Sequence, residues 1–337
     1  MTEFRDWLDA LPKIELHLHL EGAIPLPALM ALIEKYGGDP AIPDVAALRR
    51  RLTYADFPGF IEAWVWKNGF LRAYEDFSFI AEAMAADLKR QNVRYAEIFF
   101  SPTRFAHHGL EPQGLATAIR TGLDRVDGIR VAMIADLVRD HGPEEAARTL
   151  DSIEEVRAQG IVGIGIGGSE HLYPPEPFAP VYAEARRRGL KTGAHAGEAA
   201  GAESVRGAVE ALEVDRVGHG IRAIEDPAVM TLLAERQVPL EVCPLSNVAT
   251  GVVADIAAHP IGAMWRAGLN LTVNTDDPGM FHNSLVDDFM ALNEHFGFAA
   301  DDVRRLTLNA IAASWQHEAD KQALRETFET DPAWTAL

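Results

Sequence analysis

The feature that most constrains this chain is a series of short apolar runs, each ending in a histidine or an acid. His17 and His19 lie in Ile14-Glu15-Leu16-His17-Leu18-His19-Leu20. His195 and Glu198 follow Gly193-Ala194, His219 ends Val217-Gly218-His219-Gly220, and Asp276 and Asp277 close Thr272-Val273-Asn274-Thr275-Asp276-Asp277. An apolar run of that length bounded by turn residues reads as a buried strand. Eight runs fit, near 14–20, 95–101, 129–138, 161–167, 191–196, 216–220, 239–243 and 269–275. Helical stretches with polar faces separate most of them, among them 143–159, 178–188 and 201–212. Strands alternating with helices imply parallel pairing, and eight such units predict a (β/α)8 TIM barrel. The active site of that fold lies at the C-terminal ends of its strands, where these histidines and acids fall.

A chain of 337 residues fits one barrel domain over 1–337. One connection breaks the rhythm: roughly seventy residues, within 21–94, separate the first strand from the second. This helical insertion carries Phe57, Phe60, Trp64, Trp66, Phe70, Tyr74, Phe77 and Phe79. It leaves the barrel on the catalytic face, so its aromatics serve either as a lid or as packing against the barrel wall.

Charge and cysteine usage narrow the partners. A formal charge of −19 argues against polyanions, because phosphate binding needs Lys and Arg, so nucleic acid and anionic membranes are set aside. The single cysteine, Cys243, permits no intrachain disulfide and fits a reducing compartment. The opening residues show neither a basic n-region nor an apolar h-region, and no apolar run is long enough to span a bilayer. A cytoplasmic protein is expected.

His17 and His19 are two apart on a strand and therefore face the same way. Such a pair is a weak signal alone. With His195 and Asp276 at the ends of other strands, three imidazoles and a carboxylate suit one zinc ion per chain, with room for a water. A bound ion lowers the pKa of that water to roughly 7, so hydrolytic chemistry follows. Binuclear barrel hydrolases often use a lysine on the fourth strand. The run 161–168 has none, and Lys191 starts the fifth strand at the wrong end, so a single metal is expected.

These residues resemble the adenosine/adenine deaminase family of the amidohydrolase superfamily. The resemblance covers nearly the whole chain. It rests on His17-Leu18-His19-Leu20-Glu21-Gly22, His195-Ala196-Gly197-Glu198, Gly218-His219-Gly220, Cys243-Pro244-Leu245-Ser246-Asn247 and Asn274-Thr275-Asp276-Asp277-Pro278. It implies His17, His19, His195 and Asp276 as zinc ligands and Glu198 as proton donor to purine N1. His219 would orient the attacking hydroxide and share in its deprotonation. Asp277 would bond N7, and the N–H of Gly168 would meet N3. The implied reaction is hydrolytic deamination of a 6-aminopurine, a small-molecule substrate, with adenosine or deoxyadenosine the leading choice. Adenine, an N6-substituted adenine or 6-aminodeoxyfutalosine is the alternative. Glu21 stands where adenosine deaminases usually carry Asp, and bears on that choice. Arg139 meets a polar or anionic substituent or forms a surface ion pair.

Other readings compete. Glu198 could cap the next helix, and Asp277, before Pro278, could be a turn former. Gly163, Gly165 and Gly168 match G-x-G-x-x-G, but no helix signal follows, so a dinucleotide site is discounted and a flat ring close to the backbone is expected there. A lactone or phosphoester hydrolase on the same barrel, or a purine-binding protein without catalysis, are the rival functions.

Overall fold

The structure is a computed structural model that describes residues 2–54 and 57–337, without the side chains of Thr2, Phe57 and Pro58. Eight strands lie side by side in chain order. They are β1 (Lys13–His19), β2 (Val93–Phe100), β3 (Arg130–Asp136), β4 (Ile161–Gly165), β5 (Lys191–Ala196), β6 (Arg216–His219), β7 (Leu240–Val242) and β8 (Leu271–Val273). Every neighbouring pair is parallel. Helices between the strands cover the outside, so the chain forms the expected (β/α)8 barrel. Period-2 alternation sorts β1: Leu16 and Leu18 are buried in the apolar core, while Glu15, His17 and His19 share the other face.

Some strands are shorter than the apolar runs suggested. β3 stops at Asp136, not 138, because Val138 turns to φ +49°. β8 covers only three residues, and Asp276 beyond it has φ +67°. The backbone leaves the β region there, so β8 meets β1 through a single bridge, Leu18 to Asp276. Side chains complete that seam. Asn274 Oδ1 accepts the Leu16 N–H at 2.9 Å. The Glu15 carboxylate accepts the Thr275 N–H at 2.9 Å and its hydroxyl at 3.2 Å. These acceptors satisfy buried donors that a longer β8 would have paired through its backbone.

A short N-terminal helix, α1 (Thr2–Ala10), precedes β1. Between β1 and β2 lie α2 (Leu26–Lys35), α3 (Val45–Arg51), α4 (Phe57–Asn68) and α5 (Tyr74–Arg90). Their aromatics divide by role. Phe77 is core, Phe79 is exposed, and Trp66 packs edge-on against Phe70. The Phe57 side chain lies outside the described residues. No described helix is long and apolar enough to cross a membrane.

The seam makes a prediction. Glu15→Ala strips the acceptor from a buried N–H and should lower unfolding stability by about 1–3 kcal/mol, read from urea denaturation. Glu15→Gln keeps one acceptor oxygen and should lose less. An unchanged midpoint in Glu15→Ala would show that the seam does not depend on this carboxylate.

Candidate active site

His17 and His19 reach the top of the barrel from β1, His195 from β5 and Asp276 from just beyond β8. The three Nε2 atoms converge: His195 Nε2 lies 3.0 Å from that of His17 and 3.1 Å from that of His19. Asp276 Oδ1 is 3.3 Å from His19 Nε2 and 3.7 Å from His17 Nε2. An ion held tetrahedrally at about 2.0–2.1 Å keeps its ligands roughly 3.3 Å apart, so this donor set fits a zinc-like divalent ion. Burial, reinforced by the neighbouring imidazoles, holds His17 and His195 well below the usual histidine range, in the neutral form that coordinates. Glu241 Oε2 accepts from His17 Nδ1 at 2.8 Å, which turns the Nε2 lone pair inward. Ser246 Oγ donates to Asp276 Oδ2 at 2.6 Å, leaving Oδ1 for the centre. Cys243 also lies near His17, His219 and Asp276, but burial pushes its thiol well above the usual range, so it is a poor ligand.

Glu198 and His219 face the same space. His219 Nε2 is 3.5 Å from Glu198 Oε2 and 3.9 Å from Asp276 Oδ2. Burial holds the Glu198 carboxyl above the usual range despite the pull of His219. Glu198 does not cap the next helix, which begins at Ala202 behind Gly201. Instead its loop is clamped from below. The carboxylate of Glu170 accepts the N–H groups of Gly197 (2.5 Å), Glu198 (3.1 Å), Ala199 (2.7 Å) and Ala200 (3.0 Å).

Asp277 precedes the short helix Pro278–Phe281, yet its side chain caps nothing, and its Oδ1 is buried without a hydrogen bond among the described residues. Burial and the adjacent Asp276 charge hold its carboxyl above the usual range. Gly22 is obligatory beside it, since a Cβ there would sit 1.4 Å from Asp277 Oδ1. Gly168 adopts φ +104°, and a Cβ there would meet Asp140 Oδ2 at 1.9 Å. A cavity of about 270 Å³ joins these groups, lined also by Phe60 and Trp64 of α4, Ser101 and Asp136.

Three expectations need correction. Glu21 sits behind the cavity wall, 1% exposed, with Oε1 accepting the Ser101 N–H at 2.9 Å. The wall itself is Ser101. Arg139 forms no surface ion pair and does not line the cavity. It is fully buried and donates to the carbonyls of Tyr173 (2.9 Å), Ile166 (3.3 Å) and His195 (2.5 Å), tying the loops after β4 to the end of β5. The rings close to Gly163 and Gly165 belong to the protein: a Cβ would meet Trp315 at 2.4 Å and Phe99 at 2.7 Å respectively.

Sequence reasoning missed Glu170, Glu241, Ser101, Asp136 and Lys67. Glu241 had a signal, a lone acid inside the apolar strand run Leu240-Glu241-Val242. Lys67 had none. It rises from α4 to donate to the Glu21 carbonyl and to Asn68 Oδ1.

The barrel and its metal-ready end match a known group. The model of the family described as adenosine deaminase matches residues 12–331, and the chain belongs to that family. The adenine deaminase of Bordetella avium is 39% identical over 313 residues, covering 92% of this chain and 98% of that protein. The crystal structure of an adenine deaminase from Arthrobacter aurescens superposes with a TM-score of 0.87 at 33% identity, covering 95% of this chain and 98% of that one. An amidohydrolase from Burkholderia ambifaria with bound zinc gives a TM-score of 0.88 at 32% identity, covering 96% and 91%. The relatives' names favour adenine, the alternative above, over adenosine and deoxyadenosine, which were expected first.

Two outcomes follow from the supports beneath the site. Glu241→Gln should weaken zinc binding about 10–100-fold in chelator competition, because His17 loses its charged orienting partner. Glu170→Ala should leave zinc affinity near normal while turnover falls roughly tenfold or more, because only the loop carrying Glu198 is released. Equal zinc loss in both variants would contradict this division.

Proposed function

We propose that this protein deaminates the free base adenine, with one zinc ion per chain held by His17, His19, His195 and Asp276. The ion, when bound, supplies the acidity that makes water a nucleophile near neutral pH. Glu198, whose protonated form burial favours, gives its proton to N1, so no negative charge builds on the ring as oxygen adds to C6. His219 faces the incoming oxygen. Asp277, also protonated, donates to N7, and the Gly168 N–H meets N3. Loss of ammonia leaves the 6-oxo purine. Adenine and water are consumed, hypoxanthine and ammonia are released.

The observation that carries the base over the nucleoside is the wall between Gly168 and Asp277. With N3 at one and N7 at the other, N9 faces Ser101 and Asp136. Ser101 Oγ donates to Asp136 Oδ2 at 3.3 Å, and Asp136 Oδ1 accepts the Gly167 N–H at 2.7 Å. Behind them Glu21 Oε2 is a further buried acceptor without a partner among the described residues. A wall rich in acceptors suits the N9–H of free adenine, whereas a nucleoside has no hydrogen there and brings a sugar instead. The near full-length likeness to relatives named adenine deaminase supports the same reading.

The helices within 21–94 are assigned the role of a cover on the single hydrolase unit spanning 1–337. Phe60 and Trp64 line the cavity from α4, and Ile61 and Val65, next to them on that helix, are exposed at 42% and 59%. Lys67 anchors the same helix to the Glu21 backbone.

Ammonia release should be fastest with adenine, and at least about 100-fold slower in kcat/KM with adenosine, deoxyadenosine or 9-methyladenine, which all lack the N9 hydrogen. Comparable rates on 9-methyladenine would refute the role of the wall. Glu198→Gln should retain zinc and lose roughly a thousandfold or more in kcat; full activity would remove Glu198 from proton transfer.

A further inference from the structure

Behind His219 runs a hydrogen-bond chain whose direction is set by a backbone donor. The Ile261 N–H, at the start of the helix Ile261–Arg266, donates to His259 Nδ1 at 3.1 Å. A peptide N–H can only donate, so His259 Nδ1 holds a lone pair and the ring proton is on Nε2. Burial pushes His259 down to about 4, consistent with a neutral ring. His259 Nε2 lies 3.2 Å from Asn247 Oδ1, and Asn247 Nδ2 lies 3.2 Å from His219 Nδ1. The same anchor orients the amide. The oxygen must meet the His259 N–H, so the NH₂ group meets His219. His219 Nδ1 therefore accepts, and its proton is on Nε2, the nitrogen facing Glu198 and Asp276. All three side chains are buried, so bulk water does not compete for any link.

We propose that Asn247 and His259 are positioning residues that lock His219 in the Nε2–H tautomer, so that it presents a hydrogen-bond donor, not a lone pair, to the oxygen that attacks the substrate. This differs from the share in deprotonation that the family resemblance gives His219. The functional consequence rests on the deaminase reading above; the tautomer does not.

The sequence separations explain why only the fold assembles this chain. Asn247 follows β7 in the helix Pro244–Ala249, and His259 lies on the connection toward β8. Neither touches the cavity. Their effect must pass through His219.

The direct test is a long-range proton–nitrogen correlation spectrum of the zinc-loaded protein labelled with nitrogen-15, with the His219 signals identified by their loss in His219→Gln. The expected pattern is a protonated-type Nε2 and a pyridine-type Nδ1. The opposite tautomer, or a doubly protonated ring, overturns the proposal whatever the substrate proves to be. Asn247→Asp is nearly isosteric but can only accept, so it should move the His219 proton to Nδ1. Then kcat on adenine should fall roughly 10²–10⁴-fold while KM changes less than about threefold. His259→Leu should lose activity in the same way, and His259→Gln, whose amide restores a donor to Asn247, should recover most of what His259→Leu loses. An unshifted spectrum and undiminished kcat in Asn247→Asp would also overturn the proposal. Inactivity of the wild-type protein on adenine with the expected spectrum would defeat the substrate reading and leave the tautomer lock standing.

Discussion

The pairing of Arg216 with Glu97 and Glu241 inside the barrel supports everything above it. Its guanidinium lies 2.6 Å from Glu97 Oε2 and 2.5 Å from Glu241 Oε1, and stacks 3.8 Å from the centre of the Trp315 ring. Tyr95 and the Trp315 N–H satisfy the other oxygen of Glu97, at 2.8 and 2.6 Å. A closed parallel barrel offers no water to an unpaired charge, and stripping one partner from a buried pair costs about 3–5 kcal/mol. Without Arg216, Glu241 would be driven to protonate, and its grip on His17 Nδ1 would weaken. The orientation of His17, in the cluster that fits a metal ion at the top of the barrel, thus depends on a cation at its middle. Gly163 belongs to the same arrangement, since any larger residue would collide with the Trp315 ring that covers Arg216.

The top of the barrel is organised by the opposite condition. Several polar atoms there are held without protein partners: Asp277 Oδ1 and Glu21 Oε2 are buried and make no hydrogen bond among the described residues. Left-handed backbone also occurs at this end, with His219 at φ +60° and Asp276 at φ +67°, where residues other than glycine are uncommon. Both features cost stability. His219 ends β6 and Asp276 lies just beyond β8, so the chain turns at the points where the candidate site is built. Lys67, Arg139 and Glu170 offset the cost by tying the surrounding loops to fixed carbonyls and amides.

Much of this was readable from one chain. Strand ends carrying His17, His19, His195, His219 and Asp276 could be found because a buried strand needs an unbroken apolar run, and polar chemistry appears where the run stops. Glu15, Glu97 and Glu241 left a fainter trace as acids inside apolar strand runs, a pattern that burial tolerates only when a partner exists. Arg139 misled, because a charge near a strand end looks the same whether it points at a ligand or folds back onto carbonyls. Glu170 gave no usable sign, since its partners are backbone N–H groups, which every residue possesses.

The order of the strands, the parallel barrel and the donor types at its mouth follow from the sequence by itself, because periodicity and residue chemistry are local properties. The clamp on the loop of Glu198 and the direction of the chain from Ile261 to His219 were decided only by the tertiary structure. Each depends on distances between residues far apart in the chain, such as Glu170 to Glu198 or Asn247 to His219, and on burial that makes one hydrogen-bond direction the only satisfied one. Local sequence carries no record of either quantity.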